Sequence, residues 1–310
     1  MGQITPKALV VGSVNMDLIV PVKAFPRPGE TCTGGALTLA AGGKGANQAA
    51  ALARLEAETY FLGAVGRDEF GRQLLQGLQQ DGVDVSLVKR IDHVATGVAL
   101  ILLQQDGQNS IIVSPGANGL LTPDDLLGCA AKLPSMDIVL VQLEIPQDTV
   151  REAALLGKAM NALCVLDAGP PRSLPSEILT LFDLVSPNET ETECLTGIRP
   201  VDLDSAAEAA QVFRQQGCDK VVLKLGAFGA YYMDGDEEGY IPAYPISAVD
   251  TTAAGDAFTA ALSLRLAQGA TMEEAVAYGA AAGACAALVL GARPSMPALE
   301  RLKCFLHGDE

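Results

Sequence analysis

Short apolar runs rich in β-branched residues recur along the 310-residue chain, at 8–12, 60–63, 138–142, 164–167, 184–186 and 220–225. A run of this length bounded by polar or glycine residues is how a strand buried on both faces reads. Between the runs, residues 44–55, 70–80, 149–160, 189–195 and 206–216 place apolar side chains at helical spacing. Strands alternating with helices predict an α/β fold: a doubly wound, mostly parallel sheet with helices on both faces. Two stretches break the rhythm. Residues 17–39, with Pro21, Pro26 and Pro28, and 96–113, with the turn Asp106-Gly107-Gln108-Asn109, read as antiparallel strand segments inserted between the α/β units. They predict a small antiparallel β lid drawn from about 14–40 and 96–113. No Ser/Gly-rich linker, charge block or repeat divides the chain, so a single domain over 1–310 with a lid is expected.

Composition narrows the function classes. With 21 basic and 37 acidic side chains, a net charge of -16 disfavours nucleic acid and anionic membrane surfaces as partners, and an anionic ligand would need a local positive site. Seven cysteines without a Cys-x-x-Cys pair suggest neither a zinc cluster nor a redox motif, and an odd number fits a reducing compartment. His93 and His307 lie far apart, which makes His-based chemistry the poorer choice. The N-terminus has no apolar signal core, so a cytoplasmic location is expected. Residues 275–292 run without a charge but are mostly Ala and Gly, which predicts a tightly packed interior helix rather than a membrane span.

Two glycine-rich helix entries carry candidate chemistry. Asp250-Thr251-Thr252-Ala253-Ala254-Gly255-Asp256-Ala257-Phe258 opens a helical run through Ala267. Small residues let a ligand approach the backbone, and the free N–H groups at Ala253, Ala254 and Gly255 form an anion hole. Asp256 at its edge is placed to accept a proton. On these residues alone, a plain helix cap at Asp250 or Thr252 explains the segment equally well. Ala41-Gly42-Gly43-Lys44-Gly45-Ala46-Asn47-Gln48 is the second entry, and Thr38 and Gly45 stand where a P-loop needs Gly and Ser or Thr. Its glycines let a small polar ligand lie on main chain, with Asn47 offering both donor and acceptor; a simple glycine turn is the alternative.

Weaker candidates surround them. Asn15 and Asp17 alternate after the first strand and so point the same way in extended chain, an arrangement suited to vicinal hydroxyls. Glu144 follows the strand at 138–142, at the carboxyl edge where open α/β sheets bind ligands. Pro187-Asn188-Glu189-Thr190-Glu191 starts a helix, and Lys224-Leu225-Gly226-Ala227-Phe228-Gly229 ends a strand in a Gly-x-x-Gly turn open to a nucleotide. Each is more often a solvated residue or turn when met singly.

Taken in this order, from Val10 to Ser295, the motifs resemble the ribokinase/PfkB carbohydrate kinases, closest to the ribokinase subgroup. The resemblance implies a doubly wound domain whose β lid forms a homodimer contact, and transfer of phosphate from Mg-ATP to a sugar, with D-ribose and its 5-hydroxyl the expected acceptor. By resemblance, Asn15, Asp17, Gly43, Lys44, Asn47 and Glu144 hold the sugar and Asp256 is the base. Asn188, Glu191, Lys224, Gly226, Gly229 and Gly255 fall at the nucleotide and phosphate site, with Glu191 acting on hydrated magnesium. An activating potassium ion would sit among Asp250, Thr252, Ala286, Val289, Gly291 and Ser295. Four positions depart from the pattern: Lys224 stands where Thr is frequent, Thr259 and Asp167 where Asn is, and Ala280 where a side chain commonly packs on adenine. A kinase for another sugar or a nucleoside, and a catalytically silent sugar-binding regulator, are the alternatives. A dinucleotide oxidoreductase lacks its motif, since Gly12-Ser13-Val14-Asn15 follows the first strand.

Overall fold

The computed structural model describes residues 5–104 and 108–308, so Asp106 and Gly107 of the expected turn lie outside the described residues. In chain order the strands are β1 (Lys7–Val11), β2 (Asn15–Val22), β3 (Thr38–Gly42), β4 (Glu58–Leu62), β5 (Ala64–Gly66), β6 (Lys89–Ile91) and β7 (Gly97–Gln104). They continue as β8 (Asn109–Ser114), β9 (Ile138–Gln142), β10 (Leu163–Asp167), β11 (Leu184–Val185), β12 (Lys220–Lys224), β13 (Ala230–Asp234) and β14 (Glu237–Ile241).

The large sheet runs β4-β1-β9-β10-β11-β12-β13-β14. From β4 to β12 every pair is parallel, and β13 and β14 close the far edge as an antiparallel hairpin. After β1 the chain builds outward to β4, then returns to β9 on the other side of β1. The strand order therefore reverses between β1 and β9, and the loops leaving their carboxyl ends open a crevice.

Strand alternation sorts the core into two layers. Ala8 and Val10 of β1 join a cluster with the helices Lys44–Arg54, Ala254–Ala267 and Met272–Ala287, while Leu9 and Val11 join a second with Gln147–Ala159 and Leu203–Gln215. Both faces of the central strands are thus covered, which is why they read as unbroken apolar runs.

The uncharged stretch at 275–292 enters the interior helix Met272–Ala287, packed along Ala254–Ala267. Side chains at Gly279 and Gly283 would stand 3.0 Å from the Phe258 carbonyl and 3.1 Å from that of Ala254, so small residues set how closely the two axes approach. Among the described residues, no helix is long and apolar enough to cross a membrane.

The inserted segments form the second sheet, β3-β2-β7-β8. Its outer pairs are antiparallel, as expected, whereas the central pair β2–β7 runs parallel because two locally connected units lie side by side in the same direction. β8 is exposed throughout, with Ile111, Ile112 and Val113 open to solvent.

Candidate active site

Only three residues separate β1 from β2, so Asn15 and Asp17 follow the carboxyl end of β1 at the crevice, buried and on one side of an extended strand. Asn118, which the sequence reading did not single out, fixes this crossing. Its Oδ1 accepts the Val14 N–H at 3.0 Å, and its Nδ2 donates to the Val14 carbonyl at 3.1 Å and to Asn15 Oδ1 at 2.8 Å. The helix Lys44–Arg54 begins against the same crossing. Gly43 has φ +91°, and a side chain on Gly45 would stand 2.8 Å from Gly12 backbone. Glu144, just past β9, accepts the Ser13 hydroxyl and, at 3.3 Å, the Lys44 N–H.

Burial, with Glu144 and Asp256 nearby, pushes the Asp17 carboxyl up to about 7. The folded chain therefore keeps a proton there that the unfolded chain releases near pH 4, and stability falls as pH rises from about 4 to 7. Asp17→Asn is expected to remove that slope. Urea unfolding at pH 5 and pH 8 reads it, and the parent should lose on the order of 3 kcal/mol more than the variant between the two.

Asp256 lies in the first turn of Ala254–Ala267, almost wholly buried. Asn47 Nδ2 donates to one carboxylate oxygen at 2.9 Å, Gln48 Nε2 to the other at 3.0 Å, and Lys44 Nζ lies 3.6 Å away. Burial lifts its pKa, Lys44 opposes and Asp167 reinforces, leaving it above the ordinary carboxylate range. A carboxylate so placed is a better proton acceptor than an exposed one. Burial alone would lower Lys44, but Asp167, Asp256, Glu191 and Glu144 outweigh it and hold the ammonium charged. Its nitrogen is 3.7 Å from Asp167 and 4.0 Å from Glu191.

Ala253 precedes this helix with φ +60°, a left-handed conformation that costs an alanine about 1–2 kcal/mol. The resulting turn directs the Ala254 N–H to the Thr251 carbonyl at 3.2 Å, so that group is not free as expected. Asp256 and Ala257 N–H both bond the Ala253 carbonyl at 3.0 Å. Among the described residues, no hydrogen bond takes up the Ala253 or Gly255 N–H, and these two remain for an anion.

On the other flank, Asn188 and Glu191 form a reciprocal capping box, Glu191 taking the Asn188 N–H at 2.8 Å. Burial, then Asp167, raises Glu191, against the pull of Lys224 and Lys44. Lys224 ends β12, paired to Asp167 at 3.3 Å. Gly226 has φ +54° and stands beside Glu189. Gly229 has a packing reason of its own: a side chain there would meet backbone at 241–243, 2.7 Å from the Ala243 nitrogen.

Asp250 joins two loops, accepting the Thr252 N–H at 2.9 Å and the Gly291 N–H at 2.8 Å. Burial would raise its pKa, but these bonds hold it below the usual range and keep it anionic. Its own N–H reaches the Ala287 carbonyl at 3.1 Å, and the Val289 N–H that of Ala286 at 3.0 Å. Ser295 is buried, its hydroxyl donating to the Ala292 carbonyl at 2.7 Å. One ionised carboxylate among loop carbonyls is a hard, oxygen-only donor set. Among the described residues, no group of three His, Cys, Asp or Glu side chains is placed to hold a metal.

Residues 5–299 match the pfkB family carbohydrate kinases. A ribokinase of Haemophilus influenzae is 37% identical over 298 residues, covering 96% of this chain and 97% of its own. A deoxyribokinase of Salmonella typhi is 33% identical, covering 97% and 99%. The structure of Arabidopsis thaliana ribokinase complexed with ribose and ATP superposes with a TM-score of 0.89 at 36% identity, over 98% of this chain and 99% of that one. The crevice between β1 and β9, the paired glycine-rich helix starts and these similarities agree: the chain belongs to the pfkB family of carbohydrate kinases, which transfer a phosphoryl group to a sugar hydroxyl.

Proposed function

We propose that this kinase transfers the terminal phosphate of ATP to the 5-hydroxyl of D-ribose, with Asp256 as the base. The observation that carries the reading is Asp256 itself, buried beside a helix start with open N–H groups and held by Asn47 and Gln48 from the sugar-side motif. Asn15, Asp17, Gly43, Lys44, Asn47 and Glu144 bind and orient the sugar. Asp256 takes the hydroxyl proton as the oxygen attacks, and the Ala253 and Gly255 N–H groups face the charge that spreads over the phosphoryl oxygens.

Asn188, Glu191, Lys224, Gly226 and Gly229 flank the nucleotide. ATP brings a divalent metal such as magnesium, which Glu191 would hold through its water shell and which, when bound, neutralises phosphate charge. The donor set of Asp250, Thr252, Ala286, Val289, Gly291 and Ser295 suits potassium, which would add positive field beside the helix start.

ADP release coupled to detection of ribose 5-phosphate tests the acceptor, run over ribose, deoxyribose, fructose and nucleosides with and without potassium. Ribose is expected to turn over fastest; a dead ribose arm beside an active one for another acceptor would overturn the assignment. Deoxyribose is the second reading, supported by the 33% identical deoxyribokinase.

The four-stranded sheet is read as a lid that excludes water and as the homodimer contact, supported by the exposed Leu39, Ile111, Ile112 and Val113. Light scattering should give twice the 32.1 kDa chain mass, and Ile112→Glu should halve it. A cytoplasmic location is supported by the odd count of seven cysteines, without a Cys-x-x-Cys pair.

A further inference from the structure

Lys224 is a buried cation at the end of a central strand, only 8% exposed. Its nitrogen donates to Thr259 Oγ1 at 3.1 Å, and Thr259 Oγ1 donates to the Gly255 carbonyl at 2.9 Å. A side chain on Gly255 would begin 3.7 Å from that nitrogen, so the ammonium lies beside the helix turn whose Gly255 N–H is open. An ammonium has three donors. Thr259 takes one, and Asp167 Oδ1, at 3.3 Å, engages a second. Lys224 therefore keeps a third donor in hand.

The bland account is that Lys224 merely neutralises Asp167. Asp167 is already served without it: Lys44 lies 3.7 Å from Oδ1, and Oδ2 accepts the Gln48 amide at 2.7 Å. Both lysines share one carboxylate oxygen, and Lys44 also reaches Asp256 at 3.6 Å. Asp167 thus lines up two cations, one beside the proton acceptor and one beside the anion-facing helix start. Glu144, Asp167, Glu191 and Asp256 outnumber Lys44 and Lys224 here, so an incoming polyphosphate has few protein cations to meet.

We propose that Lys224 is a second catalytic cation, touching the phosphoryl group in transit, with Asp167 and Thr259 as its positioning residues. The inference rests on the kinase reading above. In the step, the sugar oxygen–phosphorus bond forms and the bond from phosphorus to the bridging oxygen breaks. The bridging electron pair leaves with ADP and the hydroxyl proton passes to Asp256. Lys224 exchanges no proton and counters the charge on the moving group.

Lys224→Met is expected to lower kcat about a hundredfold, the scale of one lost transition-state donor, with the ribose KM within about threefold of the parent. Lys224→Arg should recover about tenfold of that loss, because it restores the charge. Thermal shift supplies a readout that packing does not move. The added stabilisation from MgADP, aluminium fluoride and ribose together should vanish in Lys224→Met, while that from ribose alone persists. Should Lys224→Met leave Asp167 too exposed to fold, the double variant Asp167→Asn, Lys224→Met removes the unpaired charge and carries the decision. Turnover within about threefold of the parent in either folded variant overturns the proposal. An active parent indifferent to Lys224 overturns it alone; a parent that phosphorylates no sugar overturns the kinase reading with it.

Discussion

Asp256→Asn is expected to cut turnover about a thousandfold while ribose affinity changes by no more than about threefold. The amide keeps the size of the carboxylate but cannot take a proton. It also presents an NH2 to either Asn47 or Gln48, both of which donate to the native oxygens, so one hydrogen bond is lost at the reacting centre. Lys44 stays charged in the variant because Asp167 and Glu191 remain beside it. The native carboxylate bears a burial penalty that the amide does not. Thermal stability should therefore be equal or higher, which separates lost chemistry from lost folding. Stopped-time assays of ribose phosphorylation decide it, and turnover within about tenfold of the parent would dismiss Asp256 as the base.

Gly43→Ala should be nearly as damaging by a different route. Its φ of +91° disfavours any side chain, and the added carbon would stand 2.7 Å from both the Asn15 nitrogen and Val14 Cα, and 3.0 Å from the Ser13 carbonyl. All three are main-chain atoms, so no rotamer change relieves the overlap. The helix carrying Lys44, Asn47 and Gln48 must draw back from the strand carrying Asn15 and Asp17. A loss of about 3 kcal/mol in stability and a rise of at least about tenfold in ribose KM are expected. Gly29→Ala is the control. Gly29 also has positive φ, +81°, but nothing lies within 4 Å of the added carbon, so it should cost about 1 kcal/mol and leave the sugar KM unchanged. Equal KM effects in the two variants would remove the steric explanation.

The parallel core was legible because strands covered on both sides carry unbroken apolar runs, as at Ile138–Gln142. The hairpin of β13 and β14 was not, since Glu237–Ile241 is half polar and reads as loop. Nothing in the two inserted segments signalled that β2 and β7 would run parallel, because that depends on how two separate units dock. In the site, Gly42–Gln48 and Asp250–Asp256 announced themselves through clustered small residues before a helix. Asn118 did not: it lies more than a hundred residues from Asn15, and a lone Asn in a Gly-rich turn ordinarily means only a turn. The diversion of the Ala254 N–H to Thr251 is a main-chain event, invisible to side-chain pattern. Gly229, read as room for a nucleotide, also makes room for the neighbouring chain at 241–243.

The two sheets meet at a seam with a consequence for economy. Asn15 and Asp17 belong to the smaller one, while Lys44, Asn47 and Asp256 project from helices anchored on the larger. Under the ribose reading, a sugar held by both sets would bridge the two sheets, coupling the acceptor's arrival to the closing of the site. Nucleotide bound without it would meet a base with no hydroxyl to serve, and loss of ATP to water would stay low.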